Sequence, residues 1–552
     1  MADKKYDAIV VGSGATGGFA AKELTERGLN VLLLEAGPIH SQEEFEKLKH
    51  GGDAHGISPF SRARTFLSGR HIQSQAAFFN QAASFLYVND WKHPYSHPFK
   101  DFYLWIRGKQ LGGRFLTWGR VLMRMSDFDF KAASIDGLGE NWPICYEDLK
   151  PYYDHVETFL GLIGAENGIP NLPDGRYRKT AKLNSMEQDF KTKVENRWSE
   201  RKVIPWRYMT AQAIEKFVPT TILAAQATGR LTIKADAPAT RVIVDEKTGR
   251  ATAVACVDTR TRREEVIKAD LVFLCASTIE TIRLLFNSAC ASHPDGLGNS
   301  SGLLGRYFMD QSPSLISGTV PGTSGWEQGD EGTGDILAPN PGGIYIPRFQ
   351  NLGAQTHPDF ARGFNIQGEI GRIPSEGNGP AMFAFMGQGE MLPRYENRVT
   401  LHNRRKDGWG VPIPHIRCVP SENELNMLRT QMKVSRELVD ENGFDIDFSA
   451  SLLGLDDPKH LLPKENWLTR TIFRTFYRRS FAIGAAIHEC GGVRMGEDPG
   501  NSLLNPFNQS WDVKNLYVTD SSCFVSNGAC GPTLTTMALT VRAVEHAVKE
   551  MD

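Results

Sequence analysis

The chain has 552 residues, a formal net charge of −2, 41% hydrophobic and 23% charged residues. That length exceeds one hydrophobic core and suits two or three domain-sized units of ordinary globular composition. The near-neutral charge gives no steering toward nucleic acid or an anionic membrane, and no apolar run reaches the roughly 18 residues that span a bilayer.

The first residues lead directly into a strand, so no signal peptide or twin-arginine leader is expected and the compartment reads as cytoplasmic. Asp7–Val11 is a short apolar strand, followed by a glycine-rich turn, a helix through Arg27 and a second strand, Asn30–Leu34, that ends at Glu35. A strand–helix–strand unit of this kind implies a parallel sheet. The turn runs Gly12-Ser-Gly14-Ala15-Thr16-Gly17-Gly18. Gly12 permits the sharp turn, Gly14 lets the backbone approach a pyrophosphate, and Gly17 lets the helix pack on the strand. The first amides of the helix, at Ala15 and Thr16, then face the phosphates. Glu35 stands where an acidic side chain accepts ribose hydroxyls. The unit predicts dinucleotide binding without choosing between FAD and NAD.

Further along, Thr240–Val244 and Ala251–Asp258 are β-branched runs joined by a turn over Glu246–Arg250, which predicts a hairpin; Val242 is placed with the cofactor-binding residues. Leu271–Ala276 is an apolar strand that feeds a helix, Thr278–Asn287. The last unit is a strand, Leu516–Thr519, a glycine-containing loop and a helix from about Thr533. Residues 41–104, 166–219 and 312–480, rich in Phe, Trp, Gly and Pro, are too long for structureless loops and read as a second domain. It is inserted into a first domain of residues 1–40, 105–165, 220–311 and 481–552. There is no repeat and no low-complexity segment. The eight cysteines form no Cys-x-x-Cys, so neither a zinc site nor a redox dithiol is indicated; free thiols are expected, with a Cys523–Cys530 disulfide the lesser alternative.

Several ordered motifs resemble the glucose-methanol-choline (GMC) oxidoreductase family over nearly the full length. They are Tyr6–Gly37, Leu111-Gly112-Gly113-Arg-Phe-Leu-Thr117-Trp118-Gly119, Trp142–Leu149 with Pro151-Tyr-Tyr, and Gly305–Asp310. The most specific are C-terminal: His488–Gly496, Asn515–Asp520 and Pro532–Leu539. The resemblance implies an α/β fold, with a discontinuous Rossmann-like FAD-binding domain and an α+β substrate-binding domain built on an antiparallel sheet. It implies FAD held by the first motif, by Gly112, Gly113, Thr117 and Trp118, and by Asp520, Pro532 and Thr533 near the isoalloxazine. Relatives that attach FAD covalently do so through a histidine where Thr117 stands, so the FAD is expected to be non-covalent. No cysteine cluster exists for an iron–sulfur centre, and no metal is expected.

By the same resemblance, His488 is the catalytic base, a role that suits an imidazole near neutral pH. Family members carry a second His or Asn where this chain has Gly531. Asn527 or a group from the inserted domain then supplies that role, or His488 acts alone. Gly389–Pro393 with Asn397, and Lys406–Gly410, resemble bacterial glucoside 3-dehydrogenases, so the expected reaction is oxidation of a secondary hydroxyl of a sugar or glycoside, C3 favoured. The electron acceptor is not legible, and a small accessory subunit is kept open because some bacterial relatives have one. Trp105, Trp118, Trp142 and Trp206 read as core or as stacking platforms, and His402 and His415 as surface or core. The alternatives are a flavin-containing lyase or isomerase, which Gly531 keeps open, a non-catalytic flavoprotein, an oxidase of a non-sugar alcohol and an NAD-dependent dehydrogenase.

Overall fold

The computed structural model describes residues 5–45, 64–76, 79, 83–209, 214–215, 218–326, 342–353, 356–373, 378–458 and 466–551. Two seven-stranded sheets organise them.

In the first sheet, β1 (Lys5–Val11) is central and β2 (Val31–Leu34) runs parallel beside it, with the connecting helix α1 (Ala15–Glu26) lying across them. Val31–Leu34 is buried throughout, as a parallel strand covered on both faces must be. A further parallel strand, β3 (Leu231–Lys234), closes that edge. On the other side of β1 lies β6 (Glu264–Leu274), the longest strand of the sheet. Its first half alternates exposed and half-buried residues and pairs antiparallel with β5 (Arg250–Val257), which continues to β4 (Ala239–Asp245). Its second half is buried and pairs parallel with β1 and with β12 (Leu516–Val518). The hairpin expected from sequence is β4 with β5, and the expected apolar strand at Leu271 begins earlier, at Glu264. The charged start of that strand, Glu264-Glu-Val-Ile-Lys268, carries no apolar run to mark it.

Helix α5 (Thr533–Lys549) packs against α1 and against α2 (Tyr146–Leu160). Trp142 fills the adjoining core, edge-on to Phe130 and Phe524, with its indole N–H donated to Ser526 Oγ at 2.8 Å.

The second sheet is antiparallel. Its centre is β7 (Gln311–Thr319) and β10 (Met382–Glu390), with β9 (Phe364–Ile370) and β8 (Ile344–Ile346) on one side and β11 (Asp445–Ser451) on the other. Helix α4 (Glu422–Asn442) starts in a Ser421/Glu424 capping box, ends at Gly443 in the left-handed conformation, and covers one face. Phe383, Phe385 and Ile366 point to that helix and join Met427, Val434 and Leu438 in a core. The alternate residues point the other way. Leu315, Met386, Gln367 and Tyr345 lie in one register row across four strands and wall a cavity.

All eight cysteines are free thiols, Cys523 and Cys530 included. Among the described residues no helix is long and apolar enough to cross a membrane, and no cluster of side chains could hold a metal ion.

Candidate active site

A cavity of about 800 Å³ runs from the glycine-rich turn of the first sheet to the free face of the second. Its volume lies within the range of pockets that enclose most of a ligand. At one end the turn has the geometry that its glycines demand. Gly12 has φ +97°, and a Cβ there would meet the Cys275 carbonyl at 2.4 Å; at Gly17 it would meet the Gly12 carbonyl at 1.8 Å. Gly14 is different: a Cβ would find nothing within 4 Å, because the residue borders the open cavity. The first intrahelical bond of α1 runs from Gly18 N to Gly14 O, which leaves the amides of Ala15, Thr16 and Gly17 without an intrahelical acceptor.

Ser13 couples both glycine motifs. Its hydroxyl donates to Glu35 Oε2 at 2.5 Å and accepts from the Gly112 amide at 2.9 Å. Glu35 also accepts from the Ser13 and Gly37 amides, and burial raises its carboxyl above the usual range. Gly113 faces Gly14, where its Cβ would stand 3.6 Å from the Gly14 Cα. Two further helices begin at the cavity wall, α3 (Thr278–Asn287) and α5, so three helix N-termini with their positive dipole ends converge on it. An open glycine cradle, free helix amides and an acid at the neighbouring strand end fit a dinucleotide pyrophosphate and ribose.

The other end is built around His488, which is half-buried. Its backbone N–H donates to Asp310 Oδ1 at 3.2 Å and its Nδ1 lies 2.7 Å from Gln311 Oε1. The Gln311 amide cannot turn over, because its Nε2 donates to the Gly528 and Cys530 carbonyls at 3.1 and 3.2 Å. Its oxygen therefore faces the imidazole, and only an Nδ1–H can complete that bond. The tautomer follows: Nε2 carries a lone pair, the form a general base needs. Nε2 is turned toward Gly531, where a Cβ would lie 3.4 Å away. Burial, with the Arg114 guanidinium adding to it, lowers the imidazolium to about 4. Arg114 is held by Glu489, at 2.9 and 3.1 Å, and by Ser277 Oγ. Asp310 is pushed up to about 7 by burial and by the Glu489 charge, and it accepts from the Tyr103 hydroxyl. Ile487, directly before the histidine, has φ +61°. A β-branched residue in the left-handed region costs about 1–3 kcal/mol, and it persists here where the packing aims His488.

Other residues named from sequence are distributed as follows. Thr117, Trp118, Asp520, Pro532 and Thr533 line the cavity. Asp520 accepts from Thr281 and Ser522, and burial raises its carboxyl. Asn527 is buried with its Nδ2 3.4 Å from the His488 carbonyl oxygen, and it is not a lining residue. Val242 also lies off the wall, with its amide on Ser288 Oγ; Ala237–Thr240 line the cavity instead. Trp105, Trp118 and Trp206 line it, while Trp142 is core. His402 and His415 lie elsewhere, His402 Nδ1 accepting from the Arg404 and Arg405 amides and His415 paired with Ser96. Glu390 of the Gly389–Pro393 segment is fully buried against Arg362 and Arg348. Sequence reasoning passed over Gln311, Asp310, Arg114 and the strained Ile487. Only the position of Gln311 next to Asp310 at the end of a recognised motif could have pointed to it.

Two family models described as GMC oxidoreductase match residues 6–311 and 393–540. A 2-methyl-1,2-propanediol dehydrogenase of Mycolicibacterium austroafricanum is 27% identical over 98% of this chain and 94% of its own. A C-glycoside 3-oxidase of Arthrobacter globiformis is 25% identical over 56% of this chain and 52% of its own. Among solved structures, a formate oxidase of Aspergillus oryzae superposes with a TM-score of 0.65 at 15% identity, covering 99% of this chain and 98% of that one.

Proposed function

This chain belongs to the GMC oxidoreductase family, and from that premise we propose that it oxidises a secondary hydroxyl of a sugar or glycoside, C3 favoured, with His488 as the base. It is an FAD-dependent oxidoreductase of alcohol groups. FAD, when bound, would supply the hydride-accepting chemistry that oxidation of a carbinol needs.

The observation that carries the proposal is the placement of His488, with Nδ1 on Gln311 Oε1 and Nε2 facing the cavity beside Gly531. A substrate hydroxyl within hydrogen-bond reach of that nitrogen passes its proton to it as the C–H bond breaks and the carbonyl forms. The chain's own groups then do three things. Gln311 keeps Nδ1 protonated, the strained turn at Ile487 aims the ring, and the N-terminal end of α5 would present its positive dipole to the bound flavin. Gly531 leaves space where a second catalytic side chain would stand, so a bulky ring can approach Nε2. The placement of Asn527 off the cavity wall, with its Nδ2 3.4 Å from the His488 carbonyl oxygen, supports His488 acting alone. The sugar reading is supported by the polar wall of Gln367, Glu369 and Gln388 and by the likeness to the C-glycoside 3-oxidase.

The test is anaerobic addition of a panel of monosaccharides, glycosides and simple secondary alcohols to the FAD-loaded protein. Bleaching by sugars, with a 3-keto product by NMR, is expected. Bleaching only by simple alcohols would move the substrate out of the sugar class. No bleaching by any of them would favour a lyase or isomerase, the reading that Gly531 otherwise admits.

A further inference from the structure

Resting on the sugar reading above, we propose that Glu369 recognises the non-reacting end of the substrate, accepting hydrogen bonds from its hydroxyl or amino donors well away from the oxidised carbon. On β9, Asn365, Gln367 and Glu369 point to the same face. Asn365 marks the catalytic end: its Nδ2 donates to the Ala529 carbonyl, two residues from Gly531, and to Gln388 Oε1 at 3.3 Å. Glu369 lies four residues further along the strand, roughly 13 Å at 3.3–3.4 Å per residue. That span exceeds one sugar ring and suits a disaccharide or a glycoside.

Both Gln367 and Glu369 line the cavity. Among the described residues, neither side chain has a hydrogen-bond partner. Both are half-buried at the cavity wall, so their polar atoms are open to hydrogen-bond donors that enter it. The cation nearest in sequence, Arg372, is already engaged: its Nε and Nη2 donate to Glu187 at 2.7 and 2.8 Å. Aromatic neighbours complete the wall. Tyr345 sits opposite Gln367 in register, and Trp206 is anchored by its indole N–H on the Ile344 carbonyl. A carboxylate beside an aromatic face suits a ring that presents donors at its edge and C–H groups at its face. Burial, with the Glu187 charge adding to it, lifts the Glu369 carboxyl to about 7 against the pull of Arg372, so its acceptor strength changes across neutral pH.

The experiment compares the parent holoenzyme with Glu369→Gln and Glu369→Asp, using glucose, cellobiose and the de-acetylated amino disaccharide chitobiose as probes of flavin reduction. Glu369→Gln is expected to raise KM for the longer probes by about 10- to 100-fold, the range for losing a hydrogen bond to a charged acceptor, with kcat and the glucose parameters little changed. In the parent, KM for the longer probes should rise as pH falls through about 7, and Glu369→Gln should abolish that dependence. Glu369→Asp keeps the charge and should keep the pH dependence at a higher KM. Loss confined to cellobiose assigns hydroxyl donors, and loss confined to the amino disaccharide assigns ammonium. Equal effects on glucose and both disaccharides, or none on any of them, overturn the proposal. If no sugar bleaches the parent flavin, the sugar reading itself fails, an outcome distinct from all of these.

Discussion

Replacing Gly531 by Ala isolates the space beside the proposed base, His488. The residue lies outside the left-handed region, and the backbone before a proline takes an extended conformation that alanine also adopts. The new methyl would stand 3.4 Å from His488 Nε2 and 3.5 Å from Cε1, ordinary contact distances, so nothing has to move to admit it. Folding should not suffer. A Gly→Ala change in compatible geometry stabilises by about 0.4–1 kcal/mol through the unfolded chain. Catalysis should. The substrate oxygen must come within about 2.6–3.2 Å of Nε2, and a methyl carbon excludes it from directions within roughly 60° of the new Cβ. A glycoside that needs that side is displaced, and misplacement by about 1 Å costs on the order of 10²-fold. The assay is anaerobic flavin reduction with a small secondary alcohol, a monosaccharide and a glycoside, alongside thermal melts and FAD content. The expected result is an equal or higher Tm, full FAD content, and kcat/KM reduced about 10- to 100-fold for the glycoside, with the small alcohol changed only a few-fold. Unchanged glycoside kinetics would refute the reasoning. So would a loss of every substrate together with FAD.

Three further outcomes follow from the same geometry. Gln311→Leu removes the acceptor that fixes the imidazole tautomer, and it should lower kcat by about 10- to 100-fold without loss of FAD; parental kcat would mean that Gln311 does not orient the base. The low-pH limb of kcat/KM should fall near 4, where burial and Arg114 place His488, and not near the ordinary imidazole value. Arg114→Met removes a cation that opposes protonation, so the His488 pKa rises and the limb moves to higher pH; a limb that stays put would contradict the assignment. Acid precipitation should release the flavin into the supernatant, because Thr117 offers no histidine for a covalent link, and flavin retained in the pellet would show attachment elsewhere.

Local demands explain what the sequence could disclose. Gly12 and Gly17 are legible because a side chain at either would strike backbone, and Glu35 because a strand end has one place for an acid. The family and fold class were legible from the order of several motifs. Contacts made across the chain were not. Gln311 meets His488 from 177 residues away, and the orientation of its amide depends on two carbonyls of the loop at 528–530. Ile487 reads as an ordinary apolar residue, and only the backbone shows its left-handed conformation. Val242 lies in β4, yet the cavity lining falls at Ala237–Thr240, where the chain enters that strand. The polar wall of Gln367 and Glu369 depends on which face of β9 turns from helix α4, a choice that the alternation alone leaves open.

The central claim is that His488 Nε2 takes the proton while the substrate gives up its hydride. Stopped-flow measurement of anaerobic flavin reduction in parent and His488→Ala, loaded with equal FAD and given the best sugar of the panel, tests it most directly. A reduction rate lower by about 10²–10⁴-fold, at unchanged FAD content, is the predicted result. A His488→Ala protein that reduces its flavin at the parental rate would contradict the account.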